Sequence, residues 1–424
     1  MSKSRASLVC AGCFACIALA RYWRAKISVK VMAGIFISAI IISFCLFFQK
    51  DSTHGRQFIL HVTWELIKEK PLAGHGPGGF HKEYMNRQED YFLACPQSRY
   101  ARLADDVRHP LNEFMLAWCD YGISGLCVII TAFAFPLTVC LIKRRGKPVW
   151  LSGTLPIFIF SLFSYPLNYP LSWIILILCG CHSLYAFNPI KKTFQKHMPC
   201  ILNTTILVCL CLLAVMFYEL HYDLAWGRMA KYAADGHPRK ALVRYASLYG
   251  HYHSNSYFLY NYAAVLYSAG MFTEAEEKIG ECQKMWNGYN IELLAGDICR
   301  MEDRYDKARM HYQHAHQMCP SRFAPLFEIF QTYRTEEDTV NAVRVARIIV
   351  CKSMKTESAE IYEMKTITGE FIRIFEKKEK ANKESSGRYN NGEEAFELFR
   401  EQVGRTLVNS HQIKTWRIPV YINQ

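Results

Sequence analysis

Four stretches of this chain, residues 31–48, 125–142, 171–187 and 201–218, contain no Asp, Glu, Lys or Arg. Each approaches the roughly 20 consecutive apolar residues needed to cross the hydrocarbon core of a bilayer. Such segments are too long and too uniformly apolar for surface helices of a soluble domain, so the chain is a membrane protein and a wholly soluble enzyme is excluded. From about Glu219 onward charge is dense and no such stretch occurs, so the mean hydropathy of −0.01 averages over two different polymers.

The net charge of +13 arises from 50 Lys and Arg against 37 Asp and Glu. Its placement carries more information than its size, because short loops rich in Lys and Arg stay cytoplasmic. Three such loops occur: Arg21-Tyr22-Trp23-Arg24-Ala25-Lys26 with Lys30, Lys143-Arg144-Arg145-Gly146-Lys147, and Lys191-Lys192 with Lys196. They predict six crossings, at about 6–20, 29–48, 122–142, 149–165, 171–187 and 200–218. On this topology the start of the chain, the segment 49–113, the short loop Ser164–Pro170 and everything after 219 face outward. A nucleic-acid reading has no support, since the basic clusters border spans instead of forming a patch interleaved with aromatics.

Met1-Ser2-Lys3-Ser4-Arg5 would then lie outside, against the usual preference for positive charge inside. A signal peptide fits the short first apolar run by length, but no small-residue cleavage site followed by a soluble domain is present. The expectation is that the chain is the C-terminal part of a longer membrane protein; the alternative has residues 1–20 lying flat or buried. Of the 17 cysteines, eleven fall in or at the apolar stretches, where they act as small hydrophobes. Cys10, Cys13 and Cys16 have the spacing of a metal or redox site, but they sit within an apolar run with no His or carboxylate beside them, and packing is the better reading. Which of Cys95, Cys119, Cys282, Cys299, Cys319 and Cys351 pair, if any, is not legible.

Segment 49–113 is too long to be a mere connector. It offers Ser52-Thr53-His54-Gly55-Arg56, then an amphipathic helix expected over 57–70 with Phe58, Ile59, Val62, Leu66 and Ile67 apolar, ended by Pro71-Leu72-Ala73. Gly74-His75-Gly76-Pro77-Gly78-Gly79-Phe80 follows. This cluster is no Walker loop, since no Gly-Lys-Ser/Thr occurs, and no dinucleotide fingerprint, since no buried strand precedes it. Either it is a tight turn between two amphipathic helices, or it lets backbone approach a ligand. The arginine before it and His109-Pro110-Leu111-Asn112-Glu113 after it, directly before a span, favour a site at the membrane surface.

Taken in order, Arg56, then Pro71 to Phe80, then His109-Pro110-Leu111-Asn112-Glu113-Phe114-Met115-Leu116, then Tyr121-Gly122-Ile123-Ser124-Gly125-Leu126, resemble the O-antigen ligase family. That family comprises lipid A–core ligases, related polymerases and protein O-oligosaccharyltransferases. The resemblance covers about residues 1–190, and Ser4-Arg5-Ala6 is similar to the family's earlier Ser-Arg motif.

The resemblance implies a glycosyltransferase of the bacterial inner membrane that moves a glycan from undecaprenyl-pyrophosphate to an acceptor hydroxyl on the outer face, with inversion and without metal or other cofactor. Arg56 and Arg5 would hold the pyrophosphate, for which a guanidinium offers bidentate, permanent charge. His109 would take the acceptor proton. Asn112 and Glu113 would orient that histidine or the acceptor sugar, and Gly74, Gly76 and Gly78 would border the substrate. The bland readings are that Arg56 and Arg5 anchor to lipid phosphates, that His109 merely precedes a turn, and that Asn112 caps the next helix. Many members carry a second histidine immediately before the Asn, where this chain has Leu111; His54, His75 and His81 are lesser candidates. Aromatics and arginines such as Tyr84, Tyr91, Tyr100, Arg99 and Arg108 suit sugar stacking and anionic headgroups.

In the second half Ala241, Ala275, Ala308 and Ala342 recur at spacings of 34, 33 and 34. This half resembles the tetratricopeptide family. Gly296, Tyr305, Tyr312, Ala315 and Pro320 around Ala308 make the best unit, small residues letting paired helices approach and aromatics filling the gap to the next pair. About three and a half to four repeats are expected over 219–372, binding a protein partner or serving as a spacer. A polar linker is expected over Lys377–Glu394 and a tail to 424. The fold class expected is all-α: a polytopic membrane helix bundle of about six spans over 1–218, then an α-solenoid. Two further functions stay open, a polymerase that lengthens a lipid-linked glycan and a catalytically incomplete, membrane-anchored repeat scaffold.

Overall fold

A computed structural model describes residues 50–142, 149–185, 198–355 and 357–385. Arg5, the spans expected at 6–20 and 29–48, the three basic loops and the C-terminal tail lie outside the described residues. Within them the chain is all-helical, and it divides into two compact units, residues 1–218 and 219–424.

The first described element of the first unit is α1 (Lys50–Glu69), which starts earlier than the helix expected from residue 57 and ends where Pro71 stops it. Its apolar stripe Phe58, Val62, Leu66 and Ile67 is fully buried. Phe58 packs on Phe92 and Tyr100 of the segment that follows, at ring separations of 5.3 and 5.0 Å. The glycine cluster leads to α2 (Gly79–Ala94), then a 3-10 turn over Arg99–Arg102. Next comes α3 (Glu113–Ile142), which is two helices joined across Gly122 at φ 65°, ψ −158°. Then follow α4 (Val149–Ser161), a 3-10 turn over Pro166–Asn168, and α5 (Pro170–Tyr185). Ile129, Phe133 and Ile157 form the buried contact of α3 with α4.

Among the described residues one helical segment, Glu113–Pro136, is long and apolar enough to cross a membrane; Pro170–Cys181 is apolar but shorter. The segment of crossing length takes in a first helix, Glu113–Tyr121, joined across the kink at Gly122 to the apolar run in which the third span was expected from about residue 122. α4, over the fourth, has 13 residues, short of a full crossing by itself.

α6 (Met198–Ala234) carries the division between the units. From Glu219, its last turns pack Ala225, Trp226 and Ala230 against Tyr245 and Leu248 of α7 (Pro238–Tyr252). There follow α8 (Ser256–Ala269), α9 (Phe272–Gln283), α10 (Tyr289–Met301), α11 (Tyr305–Met318), α12 (Ala324–Thr335), α13 (Thr339–Cys351) and α14 (Ala359–Ser385). From α7 to α14 each helix packs chiefly on its neighbours in sequence. Ala241, Ala275, Ala308 and Ala342, the periodic alanines, are all completely buried. The same logic holds at Gly296: a Cβ there would lie 2.5 Å from the Tyr312 ring, so the glycine admits the aromatic. Residues 377–385, expected to start a polar linker, instead continue α14. Lys, Glu and Ala are strong helix formers, and a run of them extends a helix that packing has already nucleated.

Candidate functional site

The glycine cluster is fastened to the kink of α3 by backbone. His75 N–H donates to Cys119 O (2.8 Å), Gly76 N–H to Asp120 O (2.9 Å) and Ile123 N–H to Pro71 O (3.1 Å). Trp118 Nε1 adds a bond to Pro71 O at 3.0 Å. Approach this close requires glycine on both sides. Gly74 has φ +72°, and a Cβ on it would lie 2.4 Å from Asp120 O; one on Gly122, φ +65°, would lie 2.0 Å from Leu72 O. Both also hold left-handed backbone that other residues resist.

Asp120 completes the fastening. Its buried carboxylate accepts from Phe80 N–H (2.8 Å) and Gly78 N–H (3.2 Å), so it caps the start of α2 and anchors the end of the glycine loop at once. A Cβ on Gly76 or Gly78 would meet nothing within 4 Å, so these two, unlike Gly74, border open space.

Four expected site residues converge on one short loop, residues 162–168. Arg56 Nη1 donates to Phe163 O (3.2 Å). Asn112 Nδ2 donates to Leu162 O (3.2 Å), while its Oδ1 accepts from Met115 N–H (3.0 Å), so Asn112 is the N-cap of α3 as well as a strut to the loop. Glu113, buried, accepts from Leu167 N–H at 2.8 Å. His109 stacks on Tyr165, centroids 4.7 Å apart, and its Nε2 lies 3.3 Å from Asn168 Nδ2. With the Asn168 amide donating, Nε2 is the unprotonated nitrogen and therefore the one able to accept a proton. Nδ1 is buried and has no hydrogen-bond partner among the described residues. Leu111, between His109 and Asn112, has φ +56°, a strained conformation for a leucine.

The second ring at His109 is His81 of α2, edge-on with centroids 5.5 Å apart. Burial, reinforced by Arg108, pushes the pKa of His109 below the ordinary histidine value. Burial, with His109 and Arg108 adding to it, pushes His81 down to about 4. Both imidazoles are thus held neutral near pH 7, the form a base requires. The other lesser candidates stand apart: His75 Nε2 is 2.8 Å from Leu66 O and His54 Nδ1 is 3.1 Å from Gln57 Oε1.

Reading the sequence missed Tyr165, Asn168 and Asp120. The loop that carries the first two was expected to face outward, and its Tyr-Pro-Leu-Asn-Tyr-Pro composition was the available signal. Asp120 was hidden because a lone carboxylate at the head of an apolar run has no periodic partner.

Among the described residues, the fold and site define an all-helical architecture with an apolar helix of membrane-crossing length and a pair of half-buried histidines, one of them just ahead of that helix's first turn. Residues 1–130 match the model of the O-antigen ligase family. This match supports a ligase- or polymerase-like role in glycan processing and the inner-membrane setting of that family. It includes the glycine loop, His81, His109, Asn112, Glu113 and Asp120; the loop 162–168 lies beyond it. No curated protein matches the chain.

Proposed function

We propose that the chain transfers a glycan from an undecaprenyl-pyrophosphate donor to an acceptor hydroxyl at the outer face of the inner membrane, with inversion and without metal. The observation that carries this is the convergence of Arg56, His109, Asn112 and Glu113 on residues 162–168. His109 Nε2 takes the proton of the acceptor hydroxyl as that oxygen bonds to the anomeric carbon. The bond to the pyrophosphate breaks, and its electron pair leaves on the phosphate oxygen. Arg56, with Arg5 as its expected partner, meets the charge that develops there. Asn112 and Glu113 act by fixing the loop that orients His109, and Gly76 and Gly78, bordered by open space, are the expected substrate-facing part of the glycine loop.

In this reading the chain is multi-pass, with its second unit periplasmic, and that unit is a tetratricopeptide array that recruits a protein partner or the acceptor. The buried alanines at spacings of 33 to 34 residues and packing chiefly between consecutive helices support the array. Polymerase and ligase share the chemistry and differ in product, a lengthened lipid-linked glycan against a glycosylated acceptor.

The test is glycan transfer in a strain lacking its own ligase, comparing the chain with Arg56→Ala and His109→Ala at matched membrane levels. Either change is expected to lower transfer at least about a hundredfold, the scale of general base or oxyanion contributions. Full activity in both variants would overturn the roles. No transfer from the unmodified, inserted chain would favour the scaffold. Retained transfer under chelator is expected, and complete loss would refute the metal-free mechanism.

A further inference from the structure

The turn Pro71–Ala73 is unusual in being both rigid and greasy. Three independent features fix it against α3: the missing Cβ of Gly122, the Ile123 N–H bond to Pro71 O, and the Trp118 indole bond to the same carbonyl. Yet Leu72, at its tip, is 76% exposed. Trp64, on α1, is also exposed and meets Trp118 edge-on, centroids 5.5 Å apart. A single exposed apolar side chain needs no explanation, but Leu72 and Trp64 lie on segments that both meet Trp118 of an apolar helix, and an apolar surface shared in this way marks one that is covered.

The position of the turn identifies the cover. It is stapled to α3 at residues 118–123, where the exposed apolar surface of that helix begins, with Ile123 and then Val128, itself 70% exposed. Leu72 and Trp64 therefore continue the same apolar surface sideways, and their amphipathic indole neighbours are the residues that settle at a bilayer–water boundary. Lys68 and Lys70, both exposed, precede the turn within snorkelling reach of headgroup phosphates.

We propose that the Pro71–Ala73 turn, with Leu72 and Trp64, is embedded in the lipid leaflet that α3 enters and so sets the height of the outer segment on the membrane. Trp118 lies five residues into α3, about 7.5 Å along its axis from Glu113. An indole at the boundary then puts Asn112 and the loop 162–168 at headgroup level, where a lipid pyrophosphate is found. The inference rests on α3 crossing the membrane, not on glycan transfer.

The test places an environment-sensitive fluorescent amino acid at position 72 of the full chain in proteoliposomes, with the same label at Val128 and at Asp90 as references. Brominated phospholipid is expected to remove most of the emission at 72 and 128, and aqueous iodide to quench only at 90. Iodide quenching at 72 would show it in water, and shielding from both quenchers would show a protein cover; either overturns the proposal. If 128 is quenched by lipid and 72 is not, the turn's embedding fails while the membrane reading of α3 stands; if neither is, both fail.

Discussion

The two units are held together over very different distances along the chain. Around the candidate site, Arg56 reaches Phe163 across 107 residues, and His109, Glu113 and Asn112 reach the same loop across 59, 54 and 50. In the second unit the corresponding contacts are short-range: Tyr312 to Asp297 across 15, Arg304 to Glu276 across 28 and Tyr249 to Glu281 across 32. The first arrangement concentrates a few unlike groups at one place, which is what a reaction needs. The second repeats one small interface, which suits an extended surface. The glycines show the contrast most sharply, because each type of architecture uses close approach differently.

The largest effect is expected where backbone meets backbone. In Gly122→Ala the new Cβ would lie 2.0 Å from Leu72 O, at a φ, ψ combination essentially confined to glycine. Neither atom belongs to a side chain that can swing away, so the glycine loop must part from α3, at a cost above about 4 kcal/mol. Limited proteolysis of the membrane-inserted chain should open at residues 70–80, and transfer should vanish. Unchanged protection there would show that the two segments are not interlocked.

Gly296→Ala is the matching change in the second unit, and a smaller effect is expected. Its Cβ meets the Tyr312 ring at 2.5 Å, and a buried ring hydrogen-bonded to Asp297 yields only partly. The overpacking cost is about 1–3 kcal/mol. Hydrogen exchange in the full chain should speed up across α10 and α11 while transfer is retained. A loss of transfer from this change would mean that the units are functionally coupled.

These two glycines also mark what could be read in advance. Gly296 was recognisable because it belongs to a period, twelve residues before Ala308, and a period records a local contact made again and again. In the other unit the Pro71 stop and the glycine turn were legible from local backbone chemistry. The set Arg56, His109, Asn112 and Glu113 was singled out through resemblance alone, and the fold brings these four to one loop. What joins them was not legible: Tyr165 and Asn168 sit in a loop whose only sequence signature is composition. The cap at Asn112 that starts α3 was one of the readings open from sequence, whereas hydropathy marked only the apolar run beyond the kink at Gly122. Residues 377–385 were misassigned for the opposite reason, charge density having been weighed above helix propensity.

Acidity separates the units further. Transfer should fall as pH drops through the pKa of His109, with a midpoint below 6.5, since burial first and Arg108 second favour the neutral ring. Arg108→Gln removes the second cause, so the acid limb should move to higher pH while burial keeps it from moving fully. An unmoved limb would remove His109 from the titration. In the second unit His311 behaves oppositely. Burial lowers its pKa, but contacts with Cys299 and Glu292 outweigh this and raise it to about 9. The folded pKa exceeds the unfolded one, so this stabilisation is fully present below about 6.5 and is lost as pH rises towards 9. Glu292→Gln should cost about 1–2 kcal/mol at neutral pH and progressively less by pH 9, read from exchange in α10 and α11.

The smallest expected effect is the most informative about the loop. Gly76 has φ +90° but open space around it, so Gly76→Ala meets strain without collision, about 1–2 kcal/mol, and the fastening at Gly74 and Gly122 should survive. Gly76→Asn tolerates the left-handed conformation better and should fold more nearly as the parent does. If both variants keep residues 70–80 protected and Asn nonetheless lowers transfer more than Ala, side-chain bulk and not strain is the cause, and the space beside Gly76 receives substrate. If transfer follows strain, with Asn the milder change, the loop acts only as the hinge that carries α2 and His81 to His109.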